Sequence, residues 1–225
     1  KIVNKLVKRL KEQQNIEYLL FNSIPITIKD KLTNNIDIKS LIKSIENALP
    51  YSFRKLINSI VILDDPIFSQ RKINAFYHND TLFISNNQDD ENDILDDIVH
   101  EYSHALEEKF EEEIYFDGSI KDEFISKRMQ VERILRTSGY DTKNYDFKKI
   151  NYNKSLDNLF LNVIGYDKFQ SLTKYRLFIN PYAATSLREY FATGFEEYIL
   201  GDHKELEIVS PKLYKKLHSI MQAAY

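Results

Sequence analysis

The sequence predicts an α+β fold, and three observations predict it. Short β-branched and aromatic runs cluster before residue 90. Segments with apolar residues at helical spacing dominate after it. Strands in one half and helices in the other argue against an alternating α/β sheet. The 225 residues are 43% hydrophobic and 29% charged, enough apolar side chains for a core.

Taken in order, residues 1–14 carry Ile2, Val3, Leu6, Val7 and Leu10 at helical spacing. Lys1, Lys5, Lys8, Arg9 and Lys11 read as that helix's solvated face. Residues 36–49 repeat the pattern with Ile38, Leu41, Ile42 and Ile45, closed by Pro50. Residues 59–63 form a β-branched run ended by Asp64, Asp65 and Pro66, a buried strand and turn. Residues 73–77 and 81–85 flank His78, Asn79 and Asp80, the pattern of a hairpin. A helix is expected over 92–109, and further helices over 121–137, 155–164, 186–200 and 211–223. Residues 138–154 are polar and rich in Tyr and Asn, which predicts a long surface loop. We expect one domain over 1–225, with a mainly helical part at 1–58 and the core from 59 to 225.

Composition removes several functions. With no cysteine there is no disulfide scaffold, iron–sulfur cluster, Cys-based zinc finger or cysteine nucleophile. Five glycines leave no Gly-rich phosphate loop. The net charge of −3 offers no global basic field, so nucleic acid is not expected as a partner. No apolar run approaches the length of a membrane span. The charge is uneven: residues 89–117 hold thirteen acidic residues and one basic residue, Lys109. Much of that run sits where a helix begins, and negative charge is favourable there. The chain begins at Lys1 and so reads as a processed product or a piece of a longer chain, with any signal peptide outside it.

His100-Glu101-Tyr102-Ser103-His104 is an HExxH sequence. On a helix the two histidines lie one turn apart on one face and can converge on one ion. Glu101 lies about 100° around the helix, close enough to act as general base on a zinc-activated water. Composition alone gives roughly 0.008 such matches in this chain, so coincidence is a poor explanation. Ile94, Leu95, Ile98, Val99, Tyr102, Ala105 and Leu106 supply the apolar stripe that such a helix needs.

A catalytic zinc needs three protein ligands and one open position. Glu107 and Phe110 stand where the long metzincin motif requires Gly and His, so that class is excluded. Glu123, Glu132, Glu189, Glu196, Glu197 and His203 are the candidates for the third ligand. Glu132 is also placed to pair with Arg128 or Arg136, and Glu196 and Glu197 read as surface residues. Ser186 to Glu189 has the capping-box pattern, which competes with a ligand role for Glu189. Asp97, Glu107 and Glu108 are spaced to orient a ligand imidazole or simply to be exposed. His78, His203 and His218 read as exposed bystanders.

Residues 181–198 read PYAATSLREYFATGFEEY, with the pattern Tyr, six residues, Glu, aromatic, Phe, Ala, two residues, Phe. His104-Ala105-Leu106-Glu107 adds an Ala-hydrophobic-acidic step after HExxH. Together these segments resemble the lethal-factor-type zinc metallopeptidases, which include the anthrax lethal factor catalytic domain and the clostridial Pro-Pro endopeptidases. The resemblance covers the chain from the hairpin onward. It implies a zincin-like domain: a small mixed sheet with an edge strand packed on the HExxH helix, then a mostly helical C-terminal part. It implies Zn2+ held by His100, His104 and Glu189, with Glu101 and Tyr182 catalytic. Tyr182 would stabilise the oxyanion. It further implies a protein or peptide substrate and secretion from a bacterium. The interval from His104 to Glu189 is longer than the family's usual connection, which implies inserted helices.

The run 81–85 directly precedes the active-site helix. It is expected to be the edge strand that pairs with substrate, through Leu82, Phe83 and Ile84. Two other readings compete. One is a docking module on the same fold, although degenerate copies of this kind lose the HExxH. The other is a cytosolic zinc peptidase of another lineage, with Glu123 or Glu132 as third ligand.

Overall fold

The computed structural model describes residues 18–172 and 177–224, so the helix expected over 1–14 lies outside the described residues. Along the chain run β1 (Tyr18–Leu20), β2 (Ile24–Ile28), α1 (Ile38–Ala48), β3 (Ser59–Leu63), α2 (Pro66–Arg71), β4 (Ala75–His78) and β5 (Thr81–Ser85). The helical part follows: α3 (Glu91–Tyr115), α4 (Ser119–Thr137), α5 (Lys154–Asn158), α6 (Tyr166–Leu172), α7 (Leu187–Leu200), α8 (His203–Val209) and α9 (Pro211–Ala224). The architecture is α+β, with one small mixed sheet and helices dominating after it. No described helix is long and apolar enough to cross a membrane.

The chain divides into two compact units, residues 1–106 with 224–225, and residues 107–223. The division falls inside α3 rather than near residue 58. Residues 18–58 are not mainly helical: they add β1 and β2 to the sheet alongside α1.

In the first unit the strand order is β1-β2-β3-β5-β4. β2, β3 and β5 run parallel, while β1 and β4 are antiparallel to their neighbours. Register aligns Ile26, Ile60 and Leu82 in one row, and Ile28, Ile62 and Ile84 in the next. Successive strand residues face opposite ways, so Val61 and Phe83 point to the other face. There Phe76 stacks on Phe83 with centroids 4.9 Å apart, and Leu63, Ile67 and Phe68 complete the cluster. Asn79 and Asp80 join β4 to β5 with φ of 49° and 56°. A two-residue turn with both φ positive matches the twist of a hairpin.

This order corrects the substrate-edge expectation. β5 is paired on both sides, by β3 and β4, and Leu82, Phe83 and Ile84 are buried. Their backbone has no free edge for a peptide. Among the described residues, the edge on this side of the sheet is β4.

α3 starts six residues after β5 ends, and its start is tightly held. Asp90 Oδ1 accepts from the backbone N–H of Asn92 and Asp93, capping the helix. Asn34 Nδ2 donates to the carbonyls of Gln88 and Asp89, and Glu91 accepts from Asp37 N–H. Buried Gln88 donates to Asp97 and to the Ser85 carbonyl. The helix is regular to Lys109 and breaks at Phe110 (φ −128°, ψ 29°) before resuming to Tyr115. Glu107 with Glu111, and Glu108 with Glu112, place like charges four apart near a helix C-terminus, which disfavours unbroken helix there.

In the second unit the expected helices at 121–137, 186–200 and 211–223 are present within two residues. The 155–164 segment is a short α-helix followed by a π-helical turn, Leu159–Ile164. Residues 138–153 form the expected loop, pinned by buried Thr142 and Phe147. Gly194 on α7 lies against Leu213 of α9: a Cβ at this position would stand 2.2 Å from Leu213 Cδ2. A half-buried carboxylate and a buried ammonium sit under α9. Glu123 accepts from Lys212 and Leu213 N–H at the start of α9 and from Tyr190 Oη. Lys127 Nζ donates to the Val209 carbonyl and Ser210 Oγ.

Gly194→Ala should cost about 1–3 kcal/mol in chemical denaturation, because Leu213 is fully buried and cannot move aside. Burial pushes the Lys127 ammonium down from 10.5 to about 8, with Glu123 opposing. The unfolded chain then binds that proton more strongly between those values, so this group's contribution to stability rises with pH across the window. The stability of wild type relative to Lys127→Met should therefore increase from about pH 8 to about pH 10.

Candidate metal centre

His100, Glu101 and His104 converge. One ligand atom from each lies within 4.8 Å of the others. The two imidazole centroids are 5.1 Å apart with planes at 85°. His104 and Glu101 are buried and His100 is half-buried. The helix holds them because the rest of its circumference is committed: Ile94, Ile98, Val99, Tyr102, Ala105 and Leu106 are at most 2% exposed. Ser103 Oγ turns back onto the His100 carbonyl.

Two imidazoles and a carboxylate suit zinc, which accepts nitrogen and oxygen ligands at about 2.0–2.2 Å. Among the described residues this is a ready donor set on a rigid element. Its chemistry fits the metal that the sequence implies.

Glu189 and Tyr182 belong to the second unit. Glu189 is half-buried in the first turn of α7, and its N–H donates to Ser186 Oγ at 3.1 Å. The Ser half of the expected capping box is therefore present. Tyr166, at the start of α6, feels the Glu189 charge: burial first, then Asp157, Tyr152 and Glu189, push its phenol up to about 12. Tyr182 opens a 3₁₀ turn, Tyr182–Ala184, and is 39% exposed. Thr185 N–H and Oγ1 both donate to its carbonyl.

Other candidates have different duties. Both carboxylate oxygens of Glu123 cap α9. Glu132 pairs with Arg136 at 3.4 Å, as its spacing implied. Glu197 is half-buried and accepts from Asp202 N–H rather than lying free on the surface. His203 is exposed yet stacked on Tyr198 at 4.3 Å, and His218 Nδ1 meets the Tyr198 hydroxyl. His78 is half-buried, with Nε2 shielded from solvent.

Sequence reasoning missed one cluster. Glu107 Oε1 accepts from Tyr115 Oη, and Glu107 Oε2 lies 3.7 Å from Arg188 Nε. Burial raises the Glu107 carboxyl above its ordinary range, opposed by the Tyr115 hydrogen bond and the Arg188 charge. Arg188 and Glu107 stand 81 positions apart, so no local pattern signals their meeting.

Comparison of the chain with protein-family models, with curated proteins and with solved structures finds no match.

Proposed function

We propose that the chain is a zinc-dependent endopeptidase of the lethal-factor type, on a zincin-like fold. The observation that carries this is the convergent His100, Glu101 and His104 group on a buried, capped helix. His100 and His104 are the imidazole ligands and Glu189 the third. When bound, the metal supplies a Lewis acid that polarises a carbonyl and acidifies water.

The protein's own groups do the rest. Glu101 is buried beside the two ligands, takes a proton from the attacking water and passes it to the leaving amine. Tyr182 presents a phenol that donates to the oxygen on which charge develops. The half-exposed position of Tyr182 supports this, since a group that meets substrate must be reachable. The substrate is a peptide in extended form. β4 offers the sheet edge that can pair with such a backbone, independently of most side chains. Secretion from a bacterium follows from the same resemblance.

Two measurements test the reading. The purified chain should hold about one zinc, and the zinc-loaded wild type should cleave members of a broad peptide library. Glu101→Gln should lower cleavage by about 10²–10⁴-fold while zinc content and thermal stability stay near wild type. A zinc-loaded wild type that cleaves nothing would remove the peptidase assignment. Absence of zinc binding would favour a docking module instead.

A further inference from the structure

We propose that Asp97, held by Gln88, is a positioning residue that fixes the His100 imidazole; this rests on the reading of His100 as a metal ligand. Asp97 stands on α3 one turn before His100. Residues three apart on a helix are neighbours on its surface, and helical side chains lean back over the preceding turn. The His100 imidazole therefore leans over the turn that begins at Asp97. Asp97 is also one turn before Glu101, but an ionised carboxylate carries no donor. Of these two neighbours only the imidazole has an N–H to give. A ligating histidine puts one ring nitrogen on the metal and donates from the other, and a carboxylate is a common acceptor for it.

Spacing alone leaves Asp97 either exposed or beside the imidazole, and its surroundings distinguish the two. Asp97 is half-buried, whereas its neighbour Asp96 is exposed. Gln88 Nε2 donates to Asp97 Oδ2 at 2.9 Å and to the Ser85 carbonyl at 3.3 Å. Both partners are acceptors, so only one orientation of the amide fits. Gln88 is 1% exposed, and its backbone carbonyl accepts from Asn34 Nδ2 at 2.7 Å. The amide is thus fixed against the end of β5, and it fixes one oxygen of Asp97 in turn. Gln88 Oε1 is buried without a partner. A methionine would fill the space without that cost, so what the amide contributes is the donor that reaches Asp97. A fixed carboxylate beside a ligand ring restricts the ring's rotation before any ion arrives. Ser85, Gln88, Asp97 and His100 all belong to the first unit.

The test is zinc affinity of the whole chain by chelator competition, with imidazole NMR and thermal unfolding of the metal-free forms alongside. His100→Gln is the reference and should weaken zinc binding strongly. Asp97→Ala should weaken it by about 10–100-fold. Asp97→Asn should lose a smaller part, and its metal-free unfolding temperature should stay near wild type, because an amide oxygen still accepts from Gln88. Gln88→Met should fall between Asp97→Ala and wild type. Asp96→Asn removes the same charge one residue away and should bind zinc as wild type does. In the metal-free wild type the His100 ring N–H should exchange slowly, and Asp97→Ala should abolish that protection while the His104 signals stay in place. Asp97→Ala should add little further loss in a His100→Gln background. Full affinity and an unchanged His100 signal in the Asp97 variants, with His100→Gln impaired, would overturn the inference and leave the ligand reading standing. Equal losses in Asp96→Asn and Asp97→Asn would overturn it too, since charge alone would then account for them. Unchanged binding in His100→Gln would instead remove the ligand assignment, and the inference with it.

Discussion

Burial of one helix face is the constraint on which the rest depends. Ile94, Ile98, Val99, Tyr102, Ala105 and Leu106 take the middle of α3, residues 98–106, largely out of water. Each large apolar side chain buried in this way contributes roughly 1.5–3 kcal/mol. That gain outweighs the cost of holding two imidazoles and a carboxylate together on the remaining face. The start of the helix is fixed by the Asp90 cap and by Asn34, Gln88 and Glu91. A donor set is useful to a metal only if its geometry exists before the ion arrives, and a capped, packed helix provides that.

The second unit solves a different problem with buried charge. Glu123 and Lys127 are one turn apart on α4, and each meets groups that a helix boundary would otherwise leave unpaired. Glu123 takes the first N–H groups of α9, and Lys127 takes the carbonyl at the end of α8. Satisfying these orphan groups is what makes a buried ammonium and a half-buried carboxylate tolerable. The same duty explains why Glu123 is poorly suited to a metal. The second unit also brings Arg188, Glu107, Tyr115 and Phe191 together around the first turn of α7.

Local patterns were the legible part. The HExxH helix, the hairpin at 75–85 and the helices at 38–48, 119–137, 187–200 and 211–224 all follow from period and caps within a few residues. The β1–β2 hairpin did not, because its turn is Phe21-Asn22, both at positive φ. A phenylalanine in that conformation is unfavourable by itself and is sustained here by tertiary contacts. Its ring is buried against Tyr51, and its N–H donates to Glu46. The role of strand 81–85 was misread for a related reason. Alternation shows that a segment is a strand, whereas edge or centre depends on which other strands pair with it.

The sequence by itself determined that His100, Glu101 and His104 share one stretch of a helix with an apolar stripe, and that the chain offers no thiol as a ligand. Those facts need only the helical period and the composition. Only the tertiary structure decided that β4 rather than β5 ends the sheet, that Glu123 caps α9, and that Arg188 meets Glu107. Each joins residues far apart in the chain. Such pairings are selected by the packing of whole elements, on which local spacing is silent.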